Sequence, residues 1–131
     1  MIDIESEVYT TIARVLRKKC EDINISSEFD RTVLTLPKVT IDEKDNTVYQ
    51  RTQDSGSVEN HSRHMFEVNV YTNTKSQARK IMGYIDDTMA GMGFTRTFFS
   101  PIPNLADATI YRLTARYSAV IDTEKFITYR G

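Results

Sequence analysis

Apolar and polar residues alternate at period two through Met65-Phe66-Glu67-Val68-Asn69-Val70-Tyr71, with Phe66, Val68 and Val70 on one face and Glu67, Asn69 and Tyr71 on the other. That pattern predicts a strand with one side on a core and one side toward water. The period then changes. Thr74-Lys75-Ser76-Gln77 has the form of a capping box, and Ala78, Ile81, Met82, Ile85, Met89 and Met92 follow as one helical stripe, closed by left-handed residues at Gly91 and Gly93. An earlier helix is expected from Ile4 to about Lys19, capped by Asp3, with Ile4, Val8, Ile12, Val15 and Leu16 inward. Glu5 and Glu7 fall at its positive end and Arg17, Lys18 and Lys19 at its negative end, so the helix dipole accounts for the basic group without a bound phosphate.

Between these two units, residues 21–31 read as a polar connection pinned by Ile23, Ile25 and Phe29, and Leu36-Pro37 precedes a short strand, Val39 to Glu43. Residues 44–63 are the longest weakly patterned stretch: a long loop, or a hairpin arm if Thr47-Val48-Tyr49 prolongs the strand. After the second helix, Phe94 to Phe99 is a third strand. Pro101 and Pro103 interrupt the chain and exclude a helix or a central strand there. Ala108 to Asp122 alternates throughout and makes the final long strand; Phe126 to Tyr129 forms a last short strand or docked tail. The expected fold is α+β in a single domain over residues 1–131. It has a four-stranded antiparallel or mixed sheet with two helices packed on one face, and the long loop or hairpin arm lies between its first two strands.

Composition narrows function mainly by exclusion. The chain has 131 residues, enough for one core, and 17 basic against 18 acidic residues give a formal charge of −1. Such a balance suggests neither a nucleic-acid nor a membrane partner. The lone Cys20 falls on the first helix and suits burial and a reducing compartment. His61 and His64, three apart at the entry to a strand, lack the further ligands a metal site needs. Ser55-Gly56-Ser57 is no nucleophile elbow, the carboxylate pairs Asp42-Glu43 and Asp86-Asp87 resemble solvated surfaces, and no glycine loop opens a helix to hold phosphate. Tyr117 with Arg112 and Arg116 would suit a single-strand binder, but they alternate to opposite faces. No catalytic residue, cofactor or metal is therefore assigned, which leaves a binding or assembly role.

Three segments carry a family resemblance. Leu36-Pro37-Lys38-Val39-Thr40-Ile41-Asp42-Glu43-Lys44-Asp45-Asn46, Gly93-Phe94-Thr95-Arg96 running to Pro101, and Pro103-Asn104-Leu105 through Thr109-Ile110-Tyr111-Arg112-Leu113-Thr114-Ala115-Arg116-Tyr117 resemble stretches of the tail terminator proteins of tailed bacteriophages, also called tail completion or minor capsid proteins. The likeness extends over roughly residues 1–122 in length and element order. It implies a structural protein of the virion, made in the bacterial cytoplasm, that forms a homohexameric ring in solution or only on the tail. This ring caps the head-proximal end of the tail tube and presents the surface for head attachment. Its implied partners are further copies of itself, the tail tube protein and head–tail connector proteins, with no nucleic-acid specificity and no membrane. The alternatives are a head–tail connector component or a small nucleic-acid or regulatory binding domain. Contacts to neighbouring subunits or the tube are expected from the arm and the exposed sheet face, at Asn46, Tyr49, Arg51, Arg63, Arg112 and Arg116.

Overall fold

The computed structural model describes residues 3–27, 36–48, 61–103 and 109–122. They form helix α1 (Glu5–Lys19), strand β1 (Asn24–Ser26), strand β2 (Lys38–Val48), strand β3 (His61–Thr72), helix α2 (Lys75–Gly91), strand β4 (Thr95–Pro101) and strand β5 (Tyr111–Asp122). The strands make one sheet in the order β1-β2-β3-β5-β4. All neighbours are antiparallel except β1 with β2, so the sheet is mixed. The α+β class with two helices is as expected, but the sheet has five strands where the sequence pattern gave four. The extra one is β1, inside the stretch read as a connection: three residues are too few for alternation to register, and their pairing partner lies more than ten positions away.

Both helices cover one face. The stripe of α1 (Ile4, Val8, Ile12, Leu16) and that of α2 (Ala78, Ile81, Met82, Ile85, Met89) are buried against Val39, Ile41, Phe66, Val68, Val70, Leu113, Ala115, Tyr117 and Ile121. Helix α2 packs on β3, β5 and β4. Helix α1 lies beside α2 toward the other border, where the Tyr9 hydroxyl donates to the Ile25 carbonyl of β1 at 3.1 Å. The small side chain of Ala115 leaves room for the helices, and Phe94 closes the end of the core edge-on against Phe66 at 5.7 Å between ring centroids.

Local signals hold with small displacements. The Thr74 hydroxyl accepts from the Gln77 amide at 3.2 Å, as its capping position requires. Ile4 occupies the N-cap position of α1, and the Asp3 carboxylate, one residue outside it, accepts from the Glu5 amide at 3.3 Å. Gly91 is the last residue of α2, and Gly93 alone of the two has the left-handed backbone, at φ 87°. Cys20 sits just past α1, half-buried against the core rather than on the helical stripe. The final strand starts at Tyr111, preceded by a turn at Thr109 and the buried Ile110. The segment expected at 126–129 lies outside the described residues.

Of the two readings of residues 44–63, a long loop or a hairpin arm, the hairpin holds at both ends of the stretch. Strand β2 continues to Val48 and β3 begins at His61, with Asn46 opposite His64 and Thr47 opposite Arg63, so both ends of the stretch are the stem of a β-hairpin. The stem has no continuous apolar face, so its polar side chains left the loop and the hairpin both open in the sequence pattern. A bulge at Lys44, between Glu43 and Asp45, also breaks the period of two. Tyr49 and Arg51 lie outside the described residues.

Candidate functional site

The register stacks the second face of the sheet into rows. Ser26, Thr40, Asn69, Thr114 and Ser100 lie side by side across all five strands. On one side of this row run Asn24, Lys38, Tyr71 and Arg112, and on the other Asp42, Glu67, Arg116 and Phe98. Neither described helix packs on this face, yet Lys38, Thr40, Glu67, Asn69, Tyr71 and Thr114 are buried. The side of β3 expected toward water is therefore buried at Glu67, Asn69 and Tyr71. Alternation identifies which residues share a face, but not whether that face is buried.

Hydrogen bonds make this polar layer affordable in the absence of water. Asn69 is its hub, with no exposed surface. Its carbonyl oxygen accepts from the Arg112 Nε at 3.0 Å and the Thr114 hydroxyl at 2.6 Å, while its amide nitrogen donates to Glu67 Oε1 at 3.3 Å. Glu67 Oε2 in turn accepts from the Arg116 Nε at 3.0 Å. Burial pushes the Glu67 carboxyl up, but the hydrogen bonds from Arg116 and Asn69 and the charges of Lys44 and Arg116 outweigh it and hold the group below its ordinary value. Among the described residues the Thr40 hydroxyl is buried without a hydrogen-bond partner, a gap in this row.

The two arginines lie flat over the layer. The Arg112 guanidinium stands 5.7 Å from the Tyr71 ring centre and that of Arg116 stands 5.2 Å from the Phe98 ring centre, both within cation–π range. Of the residues expected at an interface, Arg63, Arg112 and Arg116 thus share one face. Arg63 is exposed and four positions along β3 from Glu67, roughly 13 Å at the usual strand rise. Asn46 belongs to the other face, paired with His64 on the side that carries the helices.

Strand β4 was expected as an element over Phe94 to Phe99, but none of its residues was expected at an interface. Phe98 is the large apolar side chain left exposed among the described residues, at 39 %. Next to it, on the helix side, the Phe99 ring lies under Arg96 at 4.9 Å and Arg79 at 5.7 Å. Arg96 also reaches Asp86, which accepts from the buried Tyr117 hydroxyl at 3.1 Å. Burial first, and then the Asp86 charge, raise the Tyr117 hydroxyl well above its ordinary value. An aromatic pair interleaved with arginines was readable in Arg96-Thr97-Phe98-Phe99, but only the pairing with β5 brings Arg116 over Phe98.

His64 is not poised for a metal. Its ring is fully buried, with Nε2 2.6 Å from the Ser62 hydroxyl and Nδ1 3.1 Å from Glu43 Oε2. With the ring proton on Nδ1, the serine donates to the imidazole and the imidazole donates to the carboxylate, which satisfies all three groups. The order of groups is that of a hydrolase triad. Ser62 is fully buried too, and the chain of bonds fastens the Lys44 bulge to β3. Among the described residues no cluster of three or more histidine, cysteine, aspartate or glutamate side chains is placed to hold a metal. No helix among them is long and apolar enough to cross a membrane.

Neither a scan against models of known protein families nor a search of curated proteins finds a match for this chain.

Proposed function

We propose that this chain is a tail terminator of a tailed bacteriophage: a structural protein that closes into a ring on the head-proximal end of the tail tube, stops its growth and offers the surface on which the head docks. One observation carries the reading. The two longest segments that resemble the family, Leu36 to Asn46 and Pro103 to Tyr117, supply β2 and β5, the strands on either side of central β3. They bring Lys38, Thr40, Arg112, Thr114 and Arg116 onto the bonded polar face. The resemblance thus coincides with the surface whose side chains are fixed most elaborately. It also coincides with one strand of the hairpin stem, which contains Asn46.

A cap needs surfaces of this kind. Within a closed ring each subunit contacts its neighbours through two different patches, and the tube is held by a third surface that must not accept another ring. Polar, charge-balanced faces suit contacts that form late and only on a finished template. The preorganised guanidinium groups of Arg112 and Arg116 provide directional contacts at low ordering cost.

A specific feature favours a second reading, a small nucleic-acid-binding domain: Phe98 and the arginines around it resemble a stacking platform. It is the weaker one, because Tyr71, Asn69 and Glu67 are buried and a carboxylate sits at the centre of the face. Binding of single-stranded RNA or DNA that weakens steeply with salt would support it.

The deciding experiment is electron microscopy of particles made with this gene deleted from the parent phage or prophage. Full heads beside separate tails, many longer than wild type, are expected. Tails of normal length still joined to heads would remove the terminator reading.

A further inference from the structure

Along the C-terminal half of α1, Tyr9, Thr10, Ala13, Arg14, Arg17 and Lys18 line an open groove of about 450 Å³. Its wall and base are already fixed. The Tyr9 ring is tethered through its hydroxyl to the Ile25 carbonyl at 3.1 Å, and Ala13 is buried although it stands outside the main core cluster. The rim is cationic: Arg14, Arg17 and Lys18 are exposed, and among the described residues none of the three takes part in an ion pair or a hydrogen bond. Lys19, the next residue, turns instead over the Tyr84 ring of α2 at 5.7 Å. A helix dipole favours cations in the last turn, which accounts for Arg17 and Lys18 but not for Arg14, or for the convergence of all three on one groove. Spaced at i, i+3 and i+4, the three charges are neighbours on the helix surface and repel one another.

We infer that this groove docks an acidic segment of a partner protein, which sets its carboxylates against Arg14, Arg17 and Lys18 and one apolar side chain against the Tyr9 ring. Charge complementarity selects the occupant. Bound carboxylates relieve the repulsion along the rim, and the two guanidinium groups offer them a bidentate fork. A nucleic-acid strand fits less well. Past Tyr9 the flank continues into a second groove, lined by Asp3, Glu5, Ser6, Tyr9 and Ser27, whose carboxylates repel a backbone of uniform negative charge. A polypeptide changes sign within a few residues and can follow both. A free phosphate has nothing to place against the aromatic wall. The surface lies on the helix side, away from the polar sheet face, and does not depend on the function proposed above.

The test titrates the full chain, labelled with nitrogen-15, with a synthetic peptide in which pairs of glutamates flank one phenylalanine. Three comparison probes are the same peptide with alanine for phenylalanine, the same peptide with lysine for glutamate, and an oligothymidylate of equal length. The phenylalanine peptide is expected to shift the amide signals of Thr10, Ala13, Arg14 and Arg17. It should bind about fivefold tighter than the alanine peptide, as partial burial of one aromatic ring requires. Arg14→Glu with Arg17→Glu should weaken it about tenfold and transfer binding to the lysine peptide. Both positions are exposed and unpaired among the described residues, so thermal melts of this variant should match wild type. Thr10→Arg, which adds a fourth cation one turn before Arg14, should tighten binding severalfold, a gain that misfolding cannot imitate. The proposal is overturned by shifts centred on another surface, by equal binding of the phenylalanine and alanine peptides, or by no binding at millimolar peptide. Tighter binding of the oligothymidylate at this groove, or a second copy of the chain occupying it in sedimentation, overturns it as well.

Discussion

Replacing Asn69 by leucine tests whether the polar layer is a bonded unit or a set of incidental contacts. The two side chains share a γ-branched shape, so the substitution removes the hydrogen-bonding groups while keeping the branch. Thr114 then loses the acceptor at 2.6 Å for a hydroxyl that is almost wholly buried, a loss of about 1–3 kcal/mol. Arg112 is half-buried and can turn to water, and Glu67 keeps Arg116, so these two contribute less. The sum is about 2 kcal/mol. With a urea dependence of about 1–3 kcal/mol per molar for small proteins, the unfolding midpoint should fall by roughly 1 M. Thr114→Val supplies the control, because it removes the hydroxyl that Asn69→Leu strands. The double variant should be more stable than the sum of the two single losses by about 1 kcal/mol, the signature of directly coupled residues. A midpoint shift equivalent to less than about 0.5 kcal/mol for Asn69→Leu, within the range of a neutral surface change, would refute the reasoning, as would strict additivity in the double variant.

Glu67 should leave a signature in acid. Its folded value is depressed below the ordinary 4.5, so its contribution is fully present above that pH and is lost as pH falls through the lower folded value. Thermal melts of wild type and Glu67→Gln should therefore differ at pH 7, and the gap should narrow progressively as the pH falls below 4.5; an undiminished gap in acid would contradict the assignment. His64 should behave as a structural group: His64→Ala removes a buried ring and strands the Ser62 hydroxyl and the Glu43 carboxylate, costing about 2–4 kcal/mol in chemical denaturation. In the same vein, a fluorophosphonate probe should leave the wild-type chain unlabelled at neutral pH, and labelling at Ser62 would reinstate a hydrolase.

The chain by itself determined the elements whose information is local. The stripe Ala78–Ile81–Met82–Ile85–Met89, the Thr74 cap and the alternation through β3 and β5 each repeat within a few residues, so they specify type and inward face before any partner is known. Asn24–Ser26 was not legible and the hairpin stem was legible only as one of two alternatives, because their extended conformation is imposed by pairing with residues distant in sequence. The candidate surface divides in the same way. Arg112 and Arg116 were visible as neighbours on one face of a strand, and Arg63 was expected at the same interface. That Asn69, Thr114 and Glu67 beneath them form a buried, bonded layer was decided only by the register between β3 and β5. Phe98 gives the clearest case. In sequence it is one of two adjacent phenylalanines in an alternating segment, and only the bulged pairing of β4 with β5 leaves it at an exposed border, braced by an arginine from the neighbouring strand. Side-chain periodicity is a property of the chain, whereas burial is a property of what the rest of the chain brings alongside it.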